Sequence, residues 1–395
     1  MKNICVVTSG RSDYGLLRWI LDDIKNSPYL KLKLVVTGMH LCKQYGMTIN
    51  EIKDDGFIID HTIDILLTSN STHSTIKSLG LTNIGFADYF SKSNIDIILL
   101  LGDRFEIFAA AQSALISKIP IAHIHGGEIT EGAFDDSIRH SITKMSSIHF
   151  VSTDSHRKRV IQMGEIPNNV YNFGAPGLDY FERSYLLSRE ELKIKLQLKL
   201  TNSTFLITFH PETLSNFNQQ EQINQLLEAL TIYYKTNLSK KHINIFTLPN
   251  CDPGSEYLRT SIINYCDKNE NSYFYTSLGQ KLYFSLMKYS SAVIGNSSSG
   301  LIEAPHFSIP TINIGNRQRG RTFGSSILHC KSETKEILDT INYATSDEFK
   351  RVILNSSNPY GQGGASKKIV EILEKEAQNI SNLKKFYDIE YELNC

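Results

Sequence analysis

Short apolar runs recur along the chain, separated by longer segments in which apolar and polar positions mix. In the first half the runs fall at residues 4–7, 32–36, 58–63, 95–101, 119–124 and 148–151. Strands covered on both faces read as continuous apolar stretches rather than alternating ones, and 95–101, with Asp96 as its only polar residue, is the clearest case. Intervening segments such as 105–117 are expected to form the covering helices, which predicts an α/β fold with a parallel, doubly wound sheet. The rhythm restarts after the charged stretch 188–199, read as a helix, with further strands expected at 205–209, 244–248, 272–275, 292–294 and 311–314. The turn-rich Gly174-Ala175-Pro176-Gly177 comes just before the change, so the boundary is placed near Arg183. The expectation is two Rossmann-like domains, 1–182 and 183–364, with a cleft between them. A tail, 365–395, opens with helical apolar spacing at 365–377 and is expected to pack back on the first domain.

Length and charge narrow the function. A chain of 395 residues exceeds one ordinary core. Its 41 basic residues equal its 41 acidic ones, so the positive excess needed to bind a phosphate backbone is missing and no nucleic-acid partner is expected. The start, 1–8, carries one lysine and a four-residue apolar run before Thr8-Ser9-Gly10-Arg11, too short for an export signal or a membrane span. The six cysteines are scattered without a CxxC pair, which reads as reduced thiols. Together these predict a cytoplasmic protein with no membrane partner.

In open parallel sheets, ligands bind beyond the carboxyl ends of the strands, and four polar clusters follow strand candidates. In the first, 8–15, glycines admit a close ligand and Arg11 can fork onto a phosphate; an ordinary turn is the alternative. The second, Gly102-Asp103-Arg104-Phe105-Glu106, packs three charges after the most apolar strand, with a helix cap as the plain alternative for Asp103. The third runs from His123-Ile124-His125-Gly126-Gly127-Glu128 through Asp135-Asp136 to Arg139-His140. In a strand, His123 and His125 would share one face, and the acids beyond make a general acid/base constellation. No metal-ligand spacing is present, and a core role suits His123 better than His125.

The fourth cluster combines Phe209-His210-Pro211-Glu212-Thr213, Pro249-Asn250 and 295–300 before Glu303. Serines flanked by glycine at a helix start make a seat for a diphosphate, and Glu303 lies where a carboxylate can accept bonds from a ribose diol. Arg317, Arg319 and Arg321 add positive charge, some of it at the surface. Neither half alone holds both a phosphate seat and an acid/base cluster, so the substrate should bridge them.

Read in order, TSGRSDYG (8–15), LLGDRFE (100–106), HIHGGEITEGAFDDSIRHSITKM (123–145), TFHPET (208–213), GNSSSGLIEAP (295–305) and INIGNRQRGR (312–321) resemble the UDP-N-acetylglucosamine 2-epimerases, and within them the hydrolysing branch that begins sialic acid synthesis. The resemblance spans about residues 2–325. It implies a GT-B-like fold with UDP held largely by the later domain. It implies nucleotide binding by Arg11, His210, Asn250, Ser297, Ser298, Glu303 and Arg317, with Leu278 near the uracil, and a sugar end at Asp103, Arg104 and Asp135. Many relatives have glutamate where this chain has His125, the next acid being Glu128, so the identity of the base stays open among Asp103, His125, Glu128, Asp135 and Asp136, with His210 bracing the leaving group.

The implied reaction takes UDP-N-acetylglucosamine to free N-acetylmannosamine and UDP through a 2-acetamidoglucal, with no cofactor and no metal. A homodimer or homotetramer is the assembly the family suggests. The same chemistry on UDP-N,N'-diacetylbacillosamine, toward legionaminic acid, is the near alternative; a GT-B glycosyltransferase and a non-catalytic nucleotide-sugar sensor are the more distant ones.

Overall fold

The computed structural model describes residues 1–65, 71–131, 134–212, 219–249, 254–354, 356–377, 380 and 383–390. The first sheet contains β1 (Lys2–Thr8), β2 (Leu30–Thr37), β3 (His61–Ile63), β4 (Ile97–Leu101), β5 (Ile121–Ile124), β6 (Ile148–Val151) and β7 (Val170–Asn172), in the order β3-β2-β1-β4-β5-β6-β7. The second contains β8 (Thr204–Thr208), β9 (Ile243–Thr247), β10 (Ser272–Tyr275), β11 (Ala292–Gly295), β12 (Thr311–Ile314) and β13 (Ile327–Cys330), in the order β10-β9-β8-β11-β12-β13. Every pairing is parallel, with Ile4 beside both Leu32 and Ile97, and Leu206 beside both Ile245 and Val293.

The continuous apolar runs are explained by a core on each face. Ile4 and Val6 of β1, with Ile97, Leu99 and Leu101 of β4, pack against the helices Arg11–Asn26 and Ala365–Glu376. Their neighbours Cys5, Val7, Ile98 and Leu100 pack against Thr72–Lys92 and Phe105–Ile116 on the other side. Burying one such side chain contributes about 1.5–3 kcal/mol, so both faces select apolar residues. The second sheet repeats the scheme, with Phe205 and Ile207 on one face and Leu206 on the other.

The edges depart from expectation. The run at 58–63 forms a strand only over His61–Ile63, and Ile58 is 82% exposed. Strands β7 and β13 escape the apolar pattern because each has one neighbour, and partial exposure leaves Asn172 and His329 within them. The helix Ala365–Glu376 lies against Arg11–Asn26, its first turn held by Asp179, which accepts from Ala365 N at 3.0 Å and Ser366 N at 2.6 Å. Further on, Tyr387 N donates to Gly164 O at 2.9 Å. Among the described residues no helix is long and apolar enough to cross a membrane.

Both sheets reverse direction after their first strand. The switch points lie between β1 and β4 and between β8 and β11, and crevices beyond the strand carboxyl ends at such points are where ligands bind in this architecture. The loops there, 9–11, 102–104, 209–212 and 296–298, contribute to the cleft between the halves.

Candidate active site

Two adjoining cavities fill the cleft. One is lined by Asp103, Arg104, His125, Glu128 and Asp135 from the first half and by His210, Ser297, Ser298 and Arg317 from the second. The other is lined by Arg11, Leu278 and Glu303 and shares His210, Ser297 and Ser298 with the first. The structure thus brings together the candidate site residues except Asp136, which lines neither cavity, and Asn250, which lies outside the described residues.

At the first cavity β5 stops at Ile124, and His125 takes a left-handed conformation, φ +66°. The expected shared face of His123 and His125 is therefore not formed, because the chain turns between them. His123 is a fully buried core residue, its Nε2 at 2.8 Å from Gly102 O and its Nδ1 at 3.2 Å from Thr143 Oγ1, and burial pushes its pKa down to about 3. Gly127, φ +75°, continues the turn; a Cβ there would lie 2.5 Å from His156 O, so only glycine fits.

This turn aims Nδ1 of His125 at Glu128 Oε1, 2.5 Å away. Glu128 also accepts from Ser152 Oγ at 2.9 Å and faces Arg321 at 3.1 Å. Burial works against its charge, but Arg321, then His125, hold the carboxyl well below the ordinary range. An ionised carboxylate can only accept, so Nδ1 carries the hydrogen, which in the neutral form of the ring puts the lone pair on Nε2. Nε2 has no hydrogen-bond partner among the described residues.

Asp103 does not cap a helix: the residue before Phe105–Ile116 is Arg104, with no side-chain cap bond. Instead, Asp103 pairs with Arg139, which is 1% exposed and also donates to Glu128 O at 2.9 Å and Thr130 Oγ1 at 2.6 Å. Arg104 is drawn to the buried Glu106, 3.2 Å away. Asp135 lines the cavity, whereas Asp136 accepts from Thr130 N at 2.6 Å and ties down the loop.

At the phosphate end Gly295, φ +131°, passes so close to β8 that a Cβ would sit 2.0 Å from Thr208 O. Asn296 then locks His210 in place, accepting from its N at 2.7 Å and donating to its O at 2.9 Å. Tyr283 OH reaches Ser299 Oγ at 2.6 Å, and Ser297 Oγ lies 3.1 Å from Ser299 Oγ. Burial pushes Glu303 up to about 8, and burial lowers Arg11. Among the described residues no group of three His, Cys, Asp or Glu side chains is placed to hold a metal ion.

The model of a family described as UDP-N-acetylglucosamine 2-epimerase matches residues 22–374. The chain belongs to the UDP-N-acetylglucosamine 2-epimerase family. It is 39% identical over 390 residues to polysialic acid biosynthesis protein P7 of Escherichia coli, covering 98% of each chain. It is 38% identical over 351 residues to the GDP/UDP-N,N'-diacetylbacillosamine 2-epimerase (hydrolyzing) of Campylobacter jejuni, covering 89% of each. The crystal structure of UDP-GlcNAc 2-epimerase from Neisseria meningitidis bound to UDP-GlcNAc shares the fold, with TM-score 0.80 at 19% identity, over 95% of this chain and all of that one. For this 2-epimerase family member, sequence reasoning passed over Arg139 as an anchor, the Ser152–Glu128 contact and the pairing of Arg321 with Glu128. An arginine inside an acid-rich segment was the available signal for the first; nothing local signals the other two.

Proposed function

We propose that this chain is a hydrolysing UDP-N-acetylglucosamine 2-epimerase, converting UDP-N-acetylglucosamine and water to N-acetylmannosamine and UDP as the entry to sialic acid synthesis. The observation that carries the reading is the His125–Glu128 pair, with an unpartnered Nε2, on a cavity that runs to the serine loop. In this reading Nε2 of His125 takes the proton from C2 while the C1–O bond to UDP breaks, leaving a 2-acetamidoglucal. Water then adds to C1 and gives up a proton, and a proton returns to C2 on the opposite face, with Asp135 on the cavity wall as the candidate donor in its protonated form. Glu128, buried and paired, orients His125 rather than reacting itself, as a carboxylate does for a general-base imidazole.

Negative charge growing on the departing diphosphate is met by Ser297, Ser298 and Arg317, with His210 beside them, and Glu303 faces the ribose in the neighbouring cavity with Leu278 toward the uracil. The two halves are taken to divide near Arg183. The test is incubation with UDP-N-acetylglucosamine followed by NMR: free N-acetylmannosamine and UDP are expected, and UDP-N-acetylmannosamine as the sole product would refute hydrolysis. The similarity to the Campylobacter enzyme supports a second reading, the same reaction on UDP-N,N'-diacetylbacillosamine, which a comparison of kcat/KM on the two sugars decides.

A further inference from the structure

The segment that follows β12 carries arginine at 317, 319 and 321, and the three go to different places. Arg317 turns to the serine loop, donating to Asn296 O at 3.0 Å. Arg319, 69% exposed, crosses to Glu131 at 2.9 Å, while its carbonyl accepts from Glu131 N at 3.2 Å. Arg321, 11% exposed, crosses to Glu128. Thr322 Oγ1 meets Ser155 Oγ at 3.1 Å, completing the seam. Segment 316–322 is therefore a clasp, with one arm on the phosphate side and the rest closed on the loop that bears His125.

The contacts differ in weight. The exposed Arg319–Glu131 pair is solvated in either state and holds little. The Arg321–Glu128 pair is buried, so parting the halves takes from Glu128 the cation that does most to hold its charge and leaves the carboxylate on His125. Glu128 can then take up a proton from solvent and donate it to Nδ1, and the ring's own hydrogen shifts to Nε2, which loses its lone pair.

From this geometry we infer that Arg321 is a positioning residue for His125, acting through Glu128, and that a diphosphate engaged by Arg317 on the same segment draws the clasp shut and so readies the base. The inference rests on the epimerase reading. It gives the base its working form only when a nucleotide is seated, before a reactive glycal can form.

The test uses Arg321→Met and Arg321→Lys with two readouts: steady-state release of UDP from UDP-N-acetylglucosamine, and nitrogen-15 NMR of His125 with and without UDP. Arg321→Met is expected to lower kcat by roughly 100-fold while KM changes little, with Arg321→Lys recovering most of the loss. Saturating UDP should move the wild-type His125 signals toward the Nδ1-protonated form and leave those of Arg321→Met unmoved. Adding Arg321→Met to Glu128→Gln should cost no further activity. Wild-type kcat in Arg321→Met, an equal UDP response of His125 in both proteins, or additive losses would overturn the inference. Should the wild-type protein release no UDP from any 2-acetamido sugar, the epimerase reading falls, and the UDP response of His125 alone decides the clasp.

Discussion

Replacing Arg139 with methionine tests whether one buried cation organises the acids at the sugar end. Its guanidinium donates to Glu128 O at 2.9 Å, Thr130 Oγ1 at 2.6 Å, Asp136 Oδ1 at 3.3 Å and the Asp103 carboxylate. Methionine keeps much of the volume, so the loss is electrostatic rather than a cavity. Removing one partner of a buried pair costs about 3–5 kcal/mol. The side chains of Asp103 and Asp136 keep 21% and 27% exposure and can regain water, which brings the expected cost down to about 2–3 kcal/mol. Urea unfolding should show it as a lower midpoint at unchanged slope. Adding Asp103→Asn should cost less than the sum by about 1–2 kcal/mol, because it removes a charge the first change has already stranded. Stability within about 0.5 kcal/mol of wild type, or simple additivity, would mean that Arg139 does not hold Asp103.

Three further outcomes follow from the geometry. Glu303, pushed up to about 8 by burial, binds a proton in the folded protein that the unfolded chain, near 4.5, has already released. Its contribution to stability is complete below about pH 4.5 and lost as pH rises through about 8, so Glu303→Gln should flatten that decline in pH-dependent melts; an unchanged slope would contradict the assignment. Gly127→Ala must place a Cβ 2.5 Å from His156 O at φ +75°; it should lose more than about 2 kcal/mol in urea unfolding, and wild-type stability would show the turn to be relaxed. Arg317→Ala should weaken UDP binding by roughly 10–100-fold in calorimetry, the share of one charge-assisted contact, and undiminished affinity would place the diphosphate elsewhere.

The central strands were legible because burial on both faces leaves no room for polar residues, as 95–101 shows. The edge strands β7 and β13 were not, since one exposed side relaxes that demand. Polar clusters after apolar runs marked loops that meet at the cleft, because the parallel topology gathers the carboxyl ends of the strands there. What stayed hidden depends on the chain meeting itself. His125 was assigned to a strand face because nothing local announced its left-handed backbone, although the two glycines after it hinted at a turn. Arg321 was read only as added positive charge, and its role appears only when the halves close and bring it to Glu128. A helix cap was the plain alternative for Asp103, and only the fold excludes it by bringing Arg139, on a separate helix, to the carboxylate.

The most direct measurement is a crystal structure of the protein with UDP-N-acetylglucosamine, using Asp103→Asn to slow turnover. The diphosphate is expected on Ser297, Ser298 and Arg317, with C2 of the sugar about 3–3.5 Å from Nε2 of His125. A diphosphate bound away from the serine loop, or a sugar ring turned out of the cavity that His125 lines, would contradict a reaction shared between the two halves.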